Sequence, residues 1–301
     1  MSAYLHPKYW LSWLGISFLW LVSQLPWRWQ MATGGSIGKV LYRLLPKRRA
    51  VCMTNLAIAF PHKNTAEIEG ITKAHFESLG KGLFDAAFSW WGSTDKLLSL
   101  SHISGIQTLE AALSSKRPII FLSSHFTSLE VSGSILADRL QSCFVFRPHQ
   151  NKLLNHLSIQ RREARFGQTI AKDNIRGMVR MLKQGVAVWY APDQQFQGKN
   201  HLMIPFFGID APTNPATSRL AKLANAVVIP IHCTRTESGN DCGYTLHILP
   251  ALENFPSDDI KNDTLRINRI IEQQVTTHTE QYLWTHKRYK GSLIDGNSIY
   301  P

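Results

Sequence analysis

Two side chains with complementary acid–base chemistry, His125 and Glu130, are separated by four residues behind the apolar run Ile119-Ile120-Phe121-Leu122. A histidine becomes an effective base when a carboxylate holds its second ring nitrogen, which fixes the tautomer and favours the imidazolium formed in the transition state. The spacing predicts that Glu130 reaches back to the ring across a strand-to-helix turn, with Ser124, Thr127 and Ser128 in the same network. Taken alone, the pair reads equally well as a hydrogen-bonded histidine at a helix start and a solvated helix carboxylate. Further polar groups follow later apolar runs: Arg147-Pro148, and Asp193-Gln194-Gln195 after Trp189-Tyr190-Ala191-Pro192. Arg162 and Arg165, three apart, share a helix face and can act together on a phosphate or carboxylate. Each of these reads equally as half of a structural ion pair, and Asp193 equally as a turn brace or a partner of one of those arginines.

The elements that must position these residues follow from hydrophobic periodicity. Pro118 introduces a strand over 118–123, and Leu129, Val131, Ile135 and Leu136 continue as a helix, so His125 lies at the hand-over. In open α/β sheets ligands bind at this carboxyl edge, where the next helix offers unpaired N–H groups and a partial positive charge. Strands are expected near 143–147, 186–191, 227–233 and 244–249, and helices over 151–166, 174–184, 214–225 and 258–281. Such alternation predicts an α/β fold with a largely parallel or mixed central sheet covered on both faces. Residues 50–100 carry helical spacing, from Ile68 and Ile71 to Phe84 and Phe88, with no chemistry argued from it.

At 301 residues the chain can bury a full core, and 44% hydrophobic against 18% charged residues is globular. Thirty-three Lys and Arg against 21 Asp and Glu give a formal charge of +12, a field that favours anionic partners. No nucleic-acid module accompanies the charge, so nucleic acid is not expected as a partner. Cys52, Cys143, Cys233 and Cys242 form no CxxC pair, and the histidines lack metal-ligand spacing, so neither metal nor cofactor is expected. A Walker loop, GxGxxG and HExxH are all absent.

From Tyr9 to Trp27 the chain is nearly free of charge and rich in Trp. A spanning helix needs roughly 20 apolar residues, so this run is marginal and either spans or lies in the interface. Pro26-Trp27-Arg28-Trp29 stands where a signal peptide would have a small-residue cleavage site, which favours a retained anchor over residues 1–30. Arg28, Lys39, Arg43, Lys47, Arg48 and Arg49 follow, and would hold residues 31–301, a single catalytic domain, on the cytoplasmic face.

A set of ordered motifs then points to a family. His125-Phe-Thr-Ser-Leu-Glu130, Phe146-Arg147-Pro148, Trp189-Tyr190-Ala191-Pro192-Asp193-Gln194, Pro205-Phe206-Phe207-Gly208 and Gln281-Tyr282-Leu283-Trp284-Thr285-His286-Lys287-Arg288-Tyr289-Lys290 occur in sequence, behind an opening His6-Pro7-Lys8-Tyr9-Trp10-Leu11. Over essentially its whole length the chain resembles the bacterial lipid A biosynthesis late acyltransferases of the lauroyl type, in the lysophospholipid acyltransferase superfamily. The resemblance implies transfer of a fatty acyl chain from acyl carrier protein to a hydroxyl on a primary acyl chain of the Kdo-bearing lipid A precursor, at the cytoplasmic face of the bacterial inner membrane. His125 and Glu130 match the family's catalytic pair, Arg147 its arginine–proline motif and Arg162 a functional arginine after the pair; with Arg165 and Asp193 from the reading above, these two arginines are the expected substrate-binding residues. Asp193-Gln194-Gln195 and Pro215-Ala216-Thr217 depart from the family's usual Asp-His-Asp or Asp-Gln-Asp and Ala-Thr-Thr, which bears on acyl and acceptor preference more than on reaction type.

An alcohol attacks a thioester at neutral pH only with help from a positioned base, a contribution of typically ~10²–10⁴-fold. His125 would take the proton, and direct attack without an acyl-enzyme suffices for an activated thioester. Two other readings stay open: an acyl-CoA-dependent lysophospholipid or glycerol-phosphate acyltransferase, and a noncatalytic membrane lipid-binding protein that keeps the anchor and basic surface without needing His125.

Overall fold

The computed structural model describes residues 4–237, 242–294 and 296–300. Helices α1 (Trp10–Ser23), α2 (Trp27–Leu44), α3 (Pro46–Ala59) and α4 (Thr65–Trp91) open the chain, and α5 (Thr94–Ser99) leads into the sheet. Strands and helices then alternate through β1 (Ser101–Ser104), α6 (Ile106–Ser114), β2 (Ile119–Leu122), α7 (Leu129–Leu136), β3 (Ser142–Phe146), α8 (Lys152–Phe166), β4 (Gln168–Ala171), α9 (Ile175–Lys183) and β5 (Ala187–Tyr190). A hairpin of β6 (Leu202–Phe206) and β7 (Ile209–Thr213) precedes α10 (Ala216–Ala224), β8 (Val227–Thr236), β9 (Gly243–Ile248), α11 (Ile260–Thr277) and the terminal pair β10 (Leu293–Ile294) and β11 (Asn297–Ser298).

The central sheet has seven strands in the order β1-β9-β8-β2-β5-β3-β4, parallel throughout except for the antiparallel β8–β9 contact. The expected mixed α/β sheet flanked by helices is thus present. One face is covered by α9, α10 and α11 through Met178, Leu182, Leu220, Ile267 and Ile271. On the other face Phe84, Leu109, Val131 and Ile135 come from α4, α6 and α7. Strand β2 is buried at all four positions, as its unbroken apolar run requires of a central strand covered on both sides.

Helix α4 starts on a capping box, in which Asn64 accepts from the Glu67 N–H at 3.0 Å and Glu67 accepts from the Asn64 N–H at 2.8 Å. It lies against α2 at glycine distance. A Cβ on Gly80 would stand 2.1 Å from the Gly34 carbonyl oxygen, so only hydrogen fits there. This contact seats the middle of α4, while the Ser89 and Ser134 hydroxyls, 2.7 Å apart, hold its C-terminal end beside α7.

The N-terminal run does not form a spanning helix. Pro26 lacks an N–H and disfavours helical backbone at Leu25, so the run breaks into α1, of 14 residues, and α2. At ~1.5 Å per residue α1 reaches roughly 21 Å, short of the ~30 Å hydrocarbon core. No helix among the described residues is long and apolar enough to cross a membrane. Trp10, Leu11, Leu14 and Leu21 nevertheless remain exposed on α1, as does Trp29 at the start of α2.

Among the elements that escape the periodicity reading are four strands. Strands β1 and β4 are four residues each, too short to set a period. The β6–β7 hairpin carries Pro205 and Pro212, which argue against a strand but are tolerated in a two-stranded pair with free edges. Its two-residue turn, Phe207 at φ 47° and Gly208 at φ 80°, has the left-handed backbone that tight hairpins need.

Candidate active site

His125 sits three residues beyond β2, and Asp193 three residues beyond β5. The two strands are parallel neighbours with Leu122 opposite Tyr190, so His125 and Asp193 are brought level at the carboxyl edge of the sheet. The Ser123 N–H, donating to the Tyr190 carbonyl at 2.9 Å, carries the pairing one step past the strands. Asp193 is then bound twice: its Oδ1 accepts from His125 Nδ1 at 2.6 Å, and its Oδ2 from the His125 backbone N–H at 2.9 Å. With the Asp193 side chain wholly buried and that of His125 28% exposed, the carboxylate holds the inner nitrogen. Nε2 has no hydrogen-bond partner among the described residues.

Glu130 does not hold the ring. Its Oε1 accepts from Arg162 Nε at 2.7 Å and from the Trp90 indole N–H at 2.7 Å, and its Oε2 from Arg162 NH2 at 2.8 Å. The reason is geometric. Glu130 is already in the first turn of α7, which carries it towards α8 and the end of α4, while the Asp193 loop occupies the space beside Nδ1. Trp90, in the stretch from which no chemistry was read, thereby joins the site, and only its place beside Phe88 hinted at an aromatic cluster.

The paired arginines separate as well. Arg162 turns inward to Glu130, whereas Arg165 donates to the Trp90 and Gly92 carbonyls and to Thr94 Oγ1, closing the C-terminal end of α4. A residue committed to orphan helix carbonyls is not free for a shared anion. Arg147, by contrast, is exposed, and with Lys172 it lines a cleft of about 210 Å³ whose wall includes His125, Phe144, Phe146 and Trp189. The cleft thus has an aromatic interior and a charged margin, on which Lys172 Nζ donates to Asp173 Oδ1 at 2.9 Å beside the exposed Arg147.

Electrostatics differ between the two pairs. Burial opposes a charged His125, but the charge and hydrogen bond of Asp193 more than offset it, so the imidazole pKa stands above its ordinary value. Burial likewise works against the Asp193 carboxylate, yet the His125 charge and the hydrogen bonds from its ring and backbone hold its pKa low. Glu130 is also held low against burial, by Arg162 first and by the Trp90 bond.

The loop that carries His125 is clamped by α11, β8 and α4. Ser124 Oγ donates to Gln274 Oε1 at 3.0 Å, Ser128 Oγ to the Cys233 carbonyl at 2.6 Å, and Ser78 Oγ meets Thr127 Oγ1 at 2.8 Å. These polar neighbours thus hold backbone and helices rather than the imidazole. Among the described residues no cluster of His, Cys, Asp and Glu could hold a metal ion.

The sequence profile of the bacterial lipid A biosynthesis acyltransferases matches residues 1–291. The chain belongs to that family. This acyltransferase is 32% identical over 298 residues to a lipid A biosynthesis palmitoleoyltransferase of Escherichia coli (strain K12), covering 99% of this chain and 96% of the relative. It is 31% identical over 290 residues to a lipid A biosynthesis lauroyltransferase of the same organism, covering 96% and 94%. A lipid A biosynthesis myristoyltransferase, also from that strain, is 24% identical over 294 residues, covering 96% and 90%. The enzyme class is therefore O-acyltransferase, and lipid A biosynthesis is its setting. The relatives' names differ in the acyl group, so likeness to them does not fix chain length.

Proposed function

We propose that this acyltransferase moves a fatty acyl chain from acyl carrier protein to a hydroxyl on a primary acyl chain of the Kdo-bearing lipid A precursor, at the cytoplasmic face of the bacterial inner membrane. The observation that carries the mechanism is the His125–Asp193 pair: a carboxylate on Nδ1 makes Nε2 the basic nitrogen, on a side chain that lines the cleft. Nε2 takes the acceptor hydroxyl proton as the oxygen attacks the thioester carbonyl, and the proton then goes to the leaving thiolate. The thioester is already activated, so no acyl-enzyme and no cofactor beyond the carrier thioester is required.

Glu130 serves this reaction indirectly, by pinning Arg162 and so α8 against α7. Arg147 and Lys172 at the cleft margin suit the anionic groups of a phosphorylated acceptor or of an acidic carrier protein. Phe144, Phe146 and Trp189 suit an acyl chain. Residues 1–30 form the membrane seat, with α1 lying in the interface on Trp10, Leu11, Leu14 and Leu21, and the exposed Arg28, Lys39, Arg43 and Lys47 meeting anionic head groups. Residues 31–301 form the acyltransferase domain above it. An acceptor whose chains stay in the bilayer then reaches the site without full extraction.

The test is mass spectrometry of the lipid product after membranes bearing the protein are given Kdo-bearing tetra-acyl precursor and mixed acyl carrier protein thioesters. One acyl increment, lost in His125→Ala while lipid binding persists, is expected and names the preferred chain. Acylation of a lysophospholipid instead, from acyl-CoA, overturns the acceptor and donor. Lipid binding with no transfer to either acceptor leaves a binding protein.

A further inference from the structure

The segment 281–288 touches both halves of the His125–Asp193 pair, although it lies about 90 residues beyond Asp193 in sequence. Against the His125 loop it is a backbone strap. The Thr127 N–H donates to the Gln281 carbonyl at 2.8 Å, and the Leu283 N–H to the His125 carbonyl at 2.9 Å, with Phe126 and Tyr282 bridged as in a short antiparallel ladder. Against the Asp193 loop it presents a side chain: His286 Nε2 accepts from the Gln195 backbone N–H at 2.9 Å. That bond requires His286 to be neutral with its proton on Nδ1.

The strap is itself anchored away from the cleft. The Asn55 amide on α3 donates to the Trp284 and His286 carbonyls at 2.7 and 2.8 Å, Arg48 donates to the Thr285 carbonyl, and Arg288 is buried on the Pro212 carbonyl and Thr213 Oγ1. Gln281 grips both the N–H and the carbonyl of Arg235 on β8. A segment fixed at so many points can impose a distance on the two loops it joins.

We propose that His286 is a positioning residue, which by holding the Gln195 N–H fixes the Asp193 loop and thereby sets the orientation and basicity of His125. The proposal rests on the reading of His125 as the base. The charged and titratable groups around the pair are few. Asp193 faces His125, the Tyr282 hydroxyl and the Arg288 guanidinium act on Asp193, and Arg288 and Arg48 also lie near His286. Burial, reinforced by His125, pushes the His286 pKa down to about 4, so it stays an acceptor throughout the working range.

Loosening Asp193 lets burial prevail on His125, whose pKa then falls from its raised value towards and below the ordinary 6.5. The test is a ¹³C-labelled histidine NMR titration of the full chain, with the His125 signal assigned by His125→Gln, in wild type and His286→Met, alongside the pH profile of acyl transfer. Methionine fills similar space without the ring acceptor. The expected result is a downward shift of about one unit in the His125 pKa, a roughly tenfold loss of kcat with KM changed less than about twofold, and recovery of most of both in His286→Gln. A His125 pKa unchanged in a folded His286→Met overturns the proposal. Should that variant fail to fold, His286→Leu, which also lacks the ring acceptor, takes its place with the same expected downward shift, and an unchanged His125 pKa again overturns the proposal. An NMR shift without a matching shift of the activity limb upholds the positioning role and instead sinks the reading of His125 as base.

Discussion

Two carboxylate pairs flank the same strand-to-helix turn and differ in what their partners can do. His125–Asp193 joins a carboxylate to a group that gains and loses a proton near neutral pH and is partly open to the cleft. Glu130–Arg162 joins one to a guanidinium that stays charged, with both side chains less than a fifth exposed and the Trp90 N–H closing the pair. The first arrangement suits proton transfer, while the second suits holding α7 against α8. One short motif, His-x4-Glu, thus feeds two separate devices.

The sharpest attempt to break this contrast is Asp193→Asn. Loss of the charge on Nδ1 and of the enforced tautomer is expected to lower kcat about 10²–10⁴-fold, with the acidic limb of the pH profile moved down as the His125 pKa falls. Steady-state kinetics across pH measures both, and a limb that stays in place would unseat Asp193 as the partner of the base.

Glu130→Gln is expected to act mainly on stability. Leaving Arg162 largely buried and unpaired costs about 3 kcal/mol, or roughly 5 °C of melting temperature for a chain of this size. The acidic limb of the surviving activity should hold its position. The double change Glu130→Gln with Arg162→Met should recover part of the melting temperature, because no uncompensated charge remains. An activity loss as deep as that of Asp193→Asn in a fully folded Glu130→Gln protein would instead return Glu130 to the chemistry.

The smallest effects lie in the pH dependence of stability, where the pairs differ in sign. The raised pKa of His125 means that its pair stabilises fully below the ordinary 6.5 and loses that contribution as pH rises through the folded value. The lowered pKa of Glu130 stabilises above the ordinary 4.5 and loses its contribution as pH falls through the folded value. Melting curves should therefore show the gap between wild type and Asp193→Asn narrowing above neutrality, and the gap to Glu130→Gln narrowing below pH 4.5. Gaps that stay constant across both windows would mean that the pairs contribute packing alone.

Most of the architecture was legible because its signals are local. The apolar run 119–122, the periodic stretches of α8 to α11 and the strands at 142–146, 187–190 and 227–236 lie close to where periodicity puts them. Asp193 was legible as a polar strand end but not as the partner of His125. Sequence spacing of 68 residues says nothing until β2 and β5 are known to be neighbours in register. Equal offsets of three from the two strand ends were the available signal. His286 and Tyr282 stood in a motif with no chemistry assigned to it, because their partners Gln195, Asp193 and Phe126 lie far back in the chain.

The sequence by itself determined the family, the central α/β sheet and the presence of a histidine at a carboxyl edge, since ordered motifs and hydrophobic period are properties of neighbouring residues. It also carried the break at Pro26 that makes α1 short. Tertiary structure alone decided which carboxylate meets which base, because strand order and helix direction convert chain distance into contact. Glu130, five positions from His125, is carried off by the first turn of a helix, and Asp193, 68 positions away, is delivered by a parallel register.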